Sequence, residues 1–272
     1  MKINKILVAT DFTEVADNAL AHAVKLSNAT HGKIFALHVV KKDDEIEKAK
    51  AKIAKQAKKF PEIEIAPLVR IGNIINEIGD AAAEVQAQLI VMGTHGPVGF
   101  RQVVTGGDAM KVITHSTKPF IVTQKKGISD HGYKNVVVPL DMSDDSKQKL
   151  DEVADIARYF NSDIHIFARK EKDSSLAVRL RNNILFAKKY YESKNINLHV
   201  TISENKKSFD QEMLDFAERI DADLIAIVNT LKWNMFGGVF SSRREESIIT
   251  NELQIPVLCV NPIEVNTTSY TM

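Results

Sequence analysis

The sequence predicts an α/β protein made of two tandem doubly wound domains, each a five-stranded parallel sheet with helices on both faces. Three observations carry this reading. Short runs rich in Val, Ile and Leu alternate with longer amphipathic segments, the pattern of βαβ units. The run Lys5-Ile6-Leu7-Val8-Ala9-Thr10-Asp11 returns as Asn135-Val136-Val137-Val138-Pro139-Leu140-Asp141, an offset of 130. Ala87-Gln88-Leu89-Ile90-Val91-Met92 then matches Ala222-Asp223-Leu224-Ile225-Ala226-Ile227 at 135, and Lys118-Pro119-Phe120-Ile121-Val122 matches Ile255-Pro256-Val257-Leu258-Cys259 at 137. Three matches in one order, drifting as loop insertions would make them, imply a duplicated unit. The polar stretch Lys125 to Gly132 joins the copies, giving domains at 1–126 and 133–264.

In the N-terminal half the strands are expected at about 3–9, 34–40, 63–70, 88–93 and 119–124. The first helix starts after Thr13, a good N-cap, carries Ala16, Leu20 and Ala23 on one face, and stops near Gly32. Residues 43–60 read as a solvated helix with Ile46, Ala49, Ile53 and Ala57 as a thin apolar stripe among lysines. A third helix runs from about Asn73 to Gln86 with Ile74, Ile75, Ile78, Ala82 and Val85 inward, and a fourth from Gly107 to about His115. The C-terminal half repeats the plan, with Ser143 and Ser208 as N-caps. Each half ends in an apolar strand, Phe120 to Thr123 and Val257 to Val260, and in a tandem chain the halves can cover one another's edges.

Composition sets the class. Of 272 residues 44% are apolar and 26% charged, ordinary for a folded globular chain and against long disorder or a collagen-like repeat. Lys+Arg 36 against Asp+Glu 35 leaves +1, so no overall field recruits nucleic acid or an anionic membrane, and polyanion binding needs a local patch. Neither is expected as a partner. The single Cys259, inside an apolar run, reads as a buried inert thiol. With no signal-peptide pattern at the start and no apolar run of about 18 residues, the expected location is the cytoplasm.

In open parallel sheets ligands bind beyond the C-terminal ends of the strands, where strand order reverses. That puts Asp11, Val39-Val40 and Gly93 on one rim. After Met92 comes Gly93-Thr94-His95-Gly96, then nine residues to Gly106-Gly107-Asp108 at the start of the fourth helix. Glycines let backbone N–H groups close on an anion, and the helix start supplies free donors. Asp11 is either an acceptor suited to ribose hydroxyls or a turn residue of the N-cap kind. His95 reads equally as a phosphate contact or an exposed loop residue.

These residues together, with Leu37-His38-Val39-Val40 at the second strand and Lys118 to Val122 at the last, closely resemble the universal stress protein family over residues 1–125 and more weakly over 133–262. The chain resembles a tandem member, and the resemblance implies that the two halves pair their final strands across an internal pseudo-two-fold axis, with a homodimer as a further level. The family's nucleotide signature, G-x2-G-x9-G-(S/T), is met by Gly93, Gly96 and Gly106 and departs at Gly107. The resemblance implies an adenine nucleotide (ATP, AMP or adenosine, with Mg2+ as an associated ion) held in the N-terminal half as a sensing ligand. Its contacts are implied to be Ala9, Thr10, Asp11, Val39, Met92, Gly93, His95, Gly96, Gly106 and Gly107, with Asp108 beside the phosphate position.

In the C-terminal half Val228-Asn229-Thr230-Leu231 replaces Gly93-Thr94-His95-Gly96, so the cradle glycines are missing although Asp141 remains. Gly237-Gly238 followed by Ser241 to Arg244 makes another anion site or, more simply, a polar connection. Trp233, Met235 and Phe236 form an apolar group that reads as a lid on its own domain or a partner surface. The eight histidines include no i, i+4 pair and no Cys/His cluster, so no protein-held metal is expected. Neither G-x-x-x-x-G-K-S/T nor G-x-G-x-x-G nor a nucleophile elbow occurs, so no catalytic residue is assigned. The rival reading is a ligand-free scaffold or chaperone-like interaction protein; slow ATP hydrolysis is a third.

Overall fold

The computed structural model describes residues 2–94, 106–143, 145–204, 206–229 and 242–262; for 106–108, 145 and 242–244 it describes the backbone alone. In chain order the elements are β1 (Lys5–Ala9), α1 (Glu14–Thr30), β2 (Lys33–Val40), α2 (Ile46–Ala57), β3 (Ile65–Ile71), α3 (Ile74–Glu84), β4 (Leu89–Gly93), α4 (Gly106–Thr114) and β5 (Phe120–Thr123). The second half follows with β6 (Asn135–Leu140), α5 (Leu150–Phe160), β7 (Asp163–Ala168), α6 (Ser174–Glu192), β8 (Leu198–Ile202), α7 (Phe209–Arg219), β9 (Leu224–Val228), α8 (Ser242–Ile249) and β10 (Val257–Val260).

The ten strands form one sheet in the order β3-β2-β1-β4-β5-β10-β9-β6-β7-β8. Each half is parallel and doubly wound, reversing direction beside its first strand, and the join is antiparallel: Val257, Leu258 and Cys259 lie opposite Val122, Ile121 and Phe120. The two-residue period of a strand divides the core into two layers. Ile6, Val8, Ile121 and Leu258 point to the layer that holds α1, α5 and α6; Leu7, Phe120, Val122, Val257 and Cys259 point to the layer under α3, α4, α7 and α8. Both layers run through the two halves. Cys259 is fully buried, and burial, then the Glu245 carboxylate, pushes its thiol far up, as suits an inert group.

Local chemistry explains the helix ends. Thr13 caps α1, accepting from the Ala16 N–H, and Ser208 caps α7, accepting from the Gln211 N–H. α1 stops near Gly32 as expected, ending at Thr30 with His31 (φ 56) as its left-handed cap. Gly32 itself sits in a tight place, since a Cβ there would meet Thr30 Oγ1 at 2.9 Å and the Ile3 carbonyl at 3.1 Å. One expectation is corrected. Ser143 does accept from the Ser146 N–H, but it caps a 3-10 turn at Asp145–Lys147, and α5 begins only at Leu150 with no side-chain cap. On α2 the buried stripe is Ala49, Ile53 and Gln56, a polar residue in the apolar phase.

Candidate functional site

The rim begins where β1 stops. The Thr10 N–H continues the ladder to the Leu37 carbonyl (2.8 Å), and then the chain turns. The turn is held from three sides. Thr10 Oγ1, in a side chain 6% exposed, donates to Gln56 Oε1 on α2 (3.1 Å). Gln56 Nε2 in turn donates to Asp17 Oδ1 on α1 (2.5 Å). From β2, His38 Nδ1 donates to the Thr10 carbonyl (2.7 Å), which fixes the tautomer of the neutral ring with its proton on Nδ1. Phe12 sits at φ 66, an uncommon conformation for a bulky residue, and is kept there by its N–H on Thr10 Oγ1 (3.2 Å) and its ring against His38 (4.4 Å between centroids). Lys52 Nζ lies 5.0 Å over the same ring.

This frame presents Asp11, which is exposed. Its Oδ1 accepts from the Thr13 N–H (3.0 Å) and Thr13 Oγ1 (2.5 Å), so the turn role left open by the sequence is present. Among the described residues Oδ2 takes no hydrogen bond, and the carboxylate retains acceptor capacity toward a hydroxyl.

Val39 enters through its backbone. Alternate residues of a strand aim their N–H and C=O to the same side, and Leu37 aims at β1. Val39 therefore aims the same way, past the last paired residue, Ala9. The Thr10 carbonyl, which a continuing ladder would offer to the Val39 N–H, is engaged by His38 instead. A planar heterocycle at this edge could exchange hydrogen bonds with Val39 main-chain atoms.

On the other flank Met92 lies opposite Ala9, and Gly93 ends β4. The Met92 side chain is 1% exposed, which leaves only its backbone for contact with a ligand. Gly93 has a packing cause: a Cβ there would lie 2.6 Å from the Val15 carbonyl oxygen and 3.2 Å from the Ala16 nitrogen, so only glycine lets β4 press against α1. Ala9, Thr10, Asp11, Val39, Met92 and Gly93 thus come together on one rim. His95 and Gly96 lie outside the described residues; Gly106, Gly107 and Asp108 form the first turn of α4.

The C-terminal half copies the turn but not the cradle. Asp141 Oδ1 accepts from the Ser143 N–H (2.8 Å) and Oγ (2.6 Å), as Asp11 does from Thr13. Asn183 on α6 then closes over it, donating to the Asp141 and Ser143 carbonyls at 2.9 and 3.0 Å. Val228, 8% exposed, stands in the place of Gly93, and the helix after Asp141 starts later than the one after Asp11. A cleft of about 240 Å3 lies elsewhere, lined by the ends of β7 and β8 and by α7. Its groups satisfy one another: Glu212 accepts the N–H groups of Glu204, Lys206 and Lys207, and Lys207 pairs with Asp215 at 2.6 Å.

Sequence reasoning missed His38, Gln56 and Phe12 as the supports of this rim. Only Gln56 had a readable signal, standing three residues after Ile53 and seven after Ala49 on the buried phase. Among the described residues no three His, Cys, Asp or Glu side chains are grouped to hold a metal, and no helix is long and apolar enough to cross a membrane.

The sequence model of the universal stress protein family matches residues 2–46 and 40–124. Universal stress proteins MJ0531 and MJ0577 of Methanocaldococcus jannaschii are similar: the first is 27% identical over 140 residues (44% of this chain, 82% of the relative), the second 26% over 154 (45% and 95%). A universal stress protein structure from Archaeoglobus fulgidus superposes with a TM-score of 0.70 at 17% identity, over 97% of this chain and 98% of that one. A functionally unknown protein, PA1789, from Pseudomonas aeruginosa does so at 0.63 and 14%, over 96% and 93%. At such identities these two likenesses speak for the fold alone.

Proposed function

Because residues 2–124 belong to the universal stress protein family, we propose that the N-terminal half binds one adenine nucleotide on the rim of β1, β2 and β4 and acts in stress response as a nucleotide-sensing module. The observation that carries this is the early end of β1 at Ala9, which leaves the Val39 backbone directed past the ladder, beside a rigidly braced and exposed Asp11. In this reading the Val39 main chain meets the adenine edge and Asp11 Oδ2 accepts from a ribose hydroxyl. The phosphates lie toward Gly93, His95, Gly96 and the Gly106-Gly107 start of α4, whose free N–H groups favour an anion. Asp108 would be the residue to hold an accompanying Mg2+, whose charge would offset the repulsion between this carboxylate and the phosphates.

No catalytic residue is assigned, and the module works by conformation. A ligand that touches both the Gly93 side and the α4 start can shift the segment between them by as much as its affinity differs between the two states. One observation favours the rival reading of a ligand-free scaffold: the Gly93–Val15 contact accounts for that glycine without any ligand. Mass spectrometry of small molecules released from the purified full chain, followed by calorimetric titration with ATP, AMP and adenosine, decides between them. An adenine compound bound at one per chain is expected; no binding of any of the three leaves the scaffold.

A further inference from the structure

The near-neutral chain hides a local patch of both charge and apolarity on α6. This helix of 19 residues buries Leu180, Asn183, Ala187 and Tyr191. Its opposite side carries Val178, Leu185 and Phe186 at 45, 48 and 50% exposure, three of the five exposed large apolar side chains among the described residues. The spacing is regular. Val178 and Leu185 are seven apart and form one row. Arg181 and Lys188, each three residues further on, form a basic row on one flank; Arg179 and Phe186, each one further on, form the other. Lys189 continues the outer face, and the only acid of the helix is its last residue, Glu192. Lys147, from the turn before α5, adds its ammonium 5.4 Å over the Phe186 ring.

We propose that the outer face of α6 docks flat on an anionic lipid surface. Two arguments choose this occupant. The charge is strongly biased, since four bases (Arg179, Arg181, Lys188 and Lys189) flank the apolar row and the single acid, Glu192, stands at its C-terminal end, seven residues after Leu185. The apolar side chains also protrude from a convex helix: a fluid interface accepts them at any depth, and Lys and Arg stems reach back to headgroup phosphates. The matching helix of the N-terminal half makes the contrast. α2 is lysine-rich as well, but it carries Glu47 in its first turn, and of its two large apolar residues Ile53 is 1% exposed and Ile46, at the helix start, is half-buried. Charge alone is thus common to both halves, and the combination belongs to α6.

The test is flotation of the full-length protein with vesicles of phosphatidylcholine alone and with about 30% phosphatidylglycerol, across a salt series. Binding only to the anionic vesicles, weakening as salt rises, is expected. The paired change Leu185→Asp with Phe186→Asp, and separately Arg181→Glu with Lys188→Glu, should each lower the partition at least about tenfold. Lys48→Glu with Lys55→Glu on α2, the same change in net charge, should move it less than about twofold. All these side chains are exposed, and an unchanged melting temperature certifies the fold of each variant. The proposal falls if the wild type ignores anionic vesicles, if the α2 pair matters as much as the α6 pair, or if Leu185→Asp with Phe186→Asp leaves binding within about twofold. It also falls if poly-glutamate is bound in place of lipid, which would make the partner an acidic polypeptide.

Discussion

Gln124 and Asn261 stand one residue past β5 and β10, and each caps the last helix of the other half. Gln124 Nε2 donates to the Asn251 and Ile249 carbonyls after and at the end of α8 (3.0 and 3.4 Å). Asn261 Nδ2 donates to the Ile113, Ser116 and Lys118 carbonyls around the end of α4 (2.9, 2.8 and 3.3 Å), while its Oδ1 accepts from Asn229 Nδ2 (2.7 Å). Both side chains are buried, so the carbonyls they satisfy have little access to water. The antiparallel β5–β10 join and this exchange of caps bind the halves together.

The first prediction follows from that exchange. Asn261→Leu should cost about 2 to 3 kcal/mol in urea unfolding and Gln124→Leu about 1 to 2, because each strands buried carbonyls without a donor. Costs near zero for both would mean that the caps are replaced by water.

A second separates packing from ligand approach at the glycines. Gly93→Ala drives a Cβ into the Val15 backbone and should destabilise the chain by about 1 to 3 kcal/mol, with or without nucleotide. Gly96→Val should abolish nucleotide binding while leaving the melting temperature within a few degrees, the loss being of close backbone approach. The same titration should find at most one such site per chain, since Val228 replaces the glycine in the other half. Two equivalent sites would contradict it.

The third concerns pH. His22 is 1% exposed, and burial holds its pKa at about 4, against the pull of the Lys126 carbonyl. Its Nδ1 lies 2.9 Å from the Tyr133 hydroxyl. The folded state keeps the ring neutral while the unfolded chain protonates it near 6.5, so the unfolded state binds more protons between those values. Stability should therefore be full above about pH 6.5 and fall toward pH 4, by roughly 2 to 4 kcal/mol. His165, lowered by burial and by neighbouring His199, acts in the same direction. His22→Asn should flatten this limb in urea titrations taken from pH 4 to 7. An unchanged slope would assign it elsewhere.

The fourth concerns phosphate number. Gly107 lacks the hydroxyl of the family signature, and the next residue, Asp108, brings a carboxylate to the first turn of α4. At about 4 Å two unit charges repel by about 4 kcal/mol at an effective dielectric near 20, before solvent reduces it several-fold. Metal-free AMP or adenosine should bind at least as well as ATP, and Mg2+ should narrow the gap. Gly107→Ser with Asp108→Val should shift preference toward ATP. Metal-free ATP binding about tenfold tighter than AMP in the unchanged protein would show that the helix start dominates.

What the sequence determined by itself was local or periodic. The period of two in Ile6-Leu7-Val8 and in Phe120-Ile121-Val122 set which side chains face which layer, and the repeat set the two copies. Thr13 and Ser208 were legible as caps because a hydroxyl reaches an N–H three residues away whatever the rest of the chain does. Only the tertiary structure decided the rest, because it depends on which distant atoms packing brings together. Gly93 is a glycine for the sake of Val15, and Asn261 reaches the end of α4 across 148 residues of sequence. Asp11 is braced through His38 and Gln56, from strands and helices whose spacing along the chain encodes no such contact. Propensity is a property of a few neighbouring residues; the shape of the rim is a property of the whole sheet, fixed when two buried layers close on either side of it.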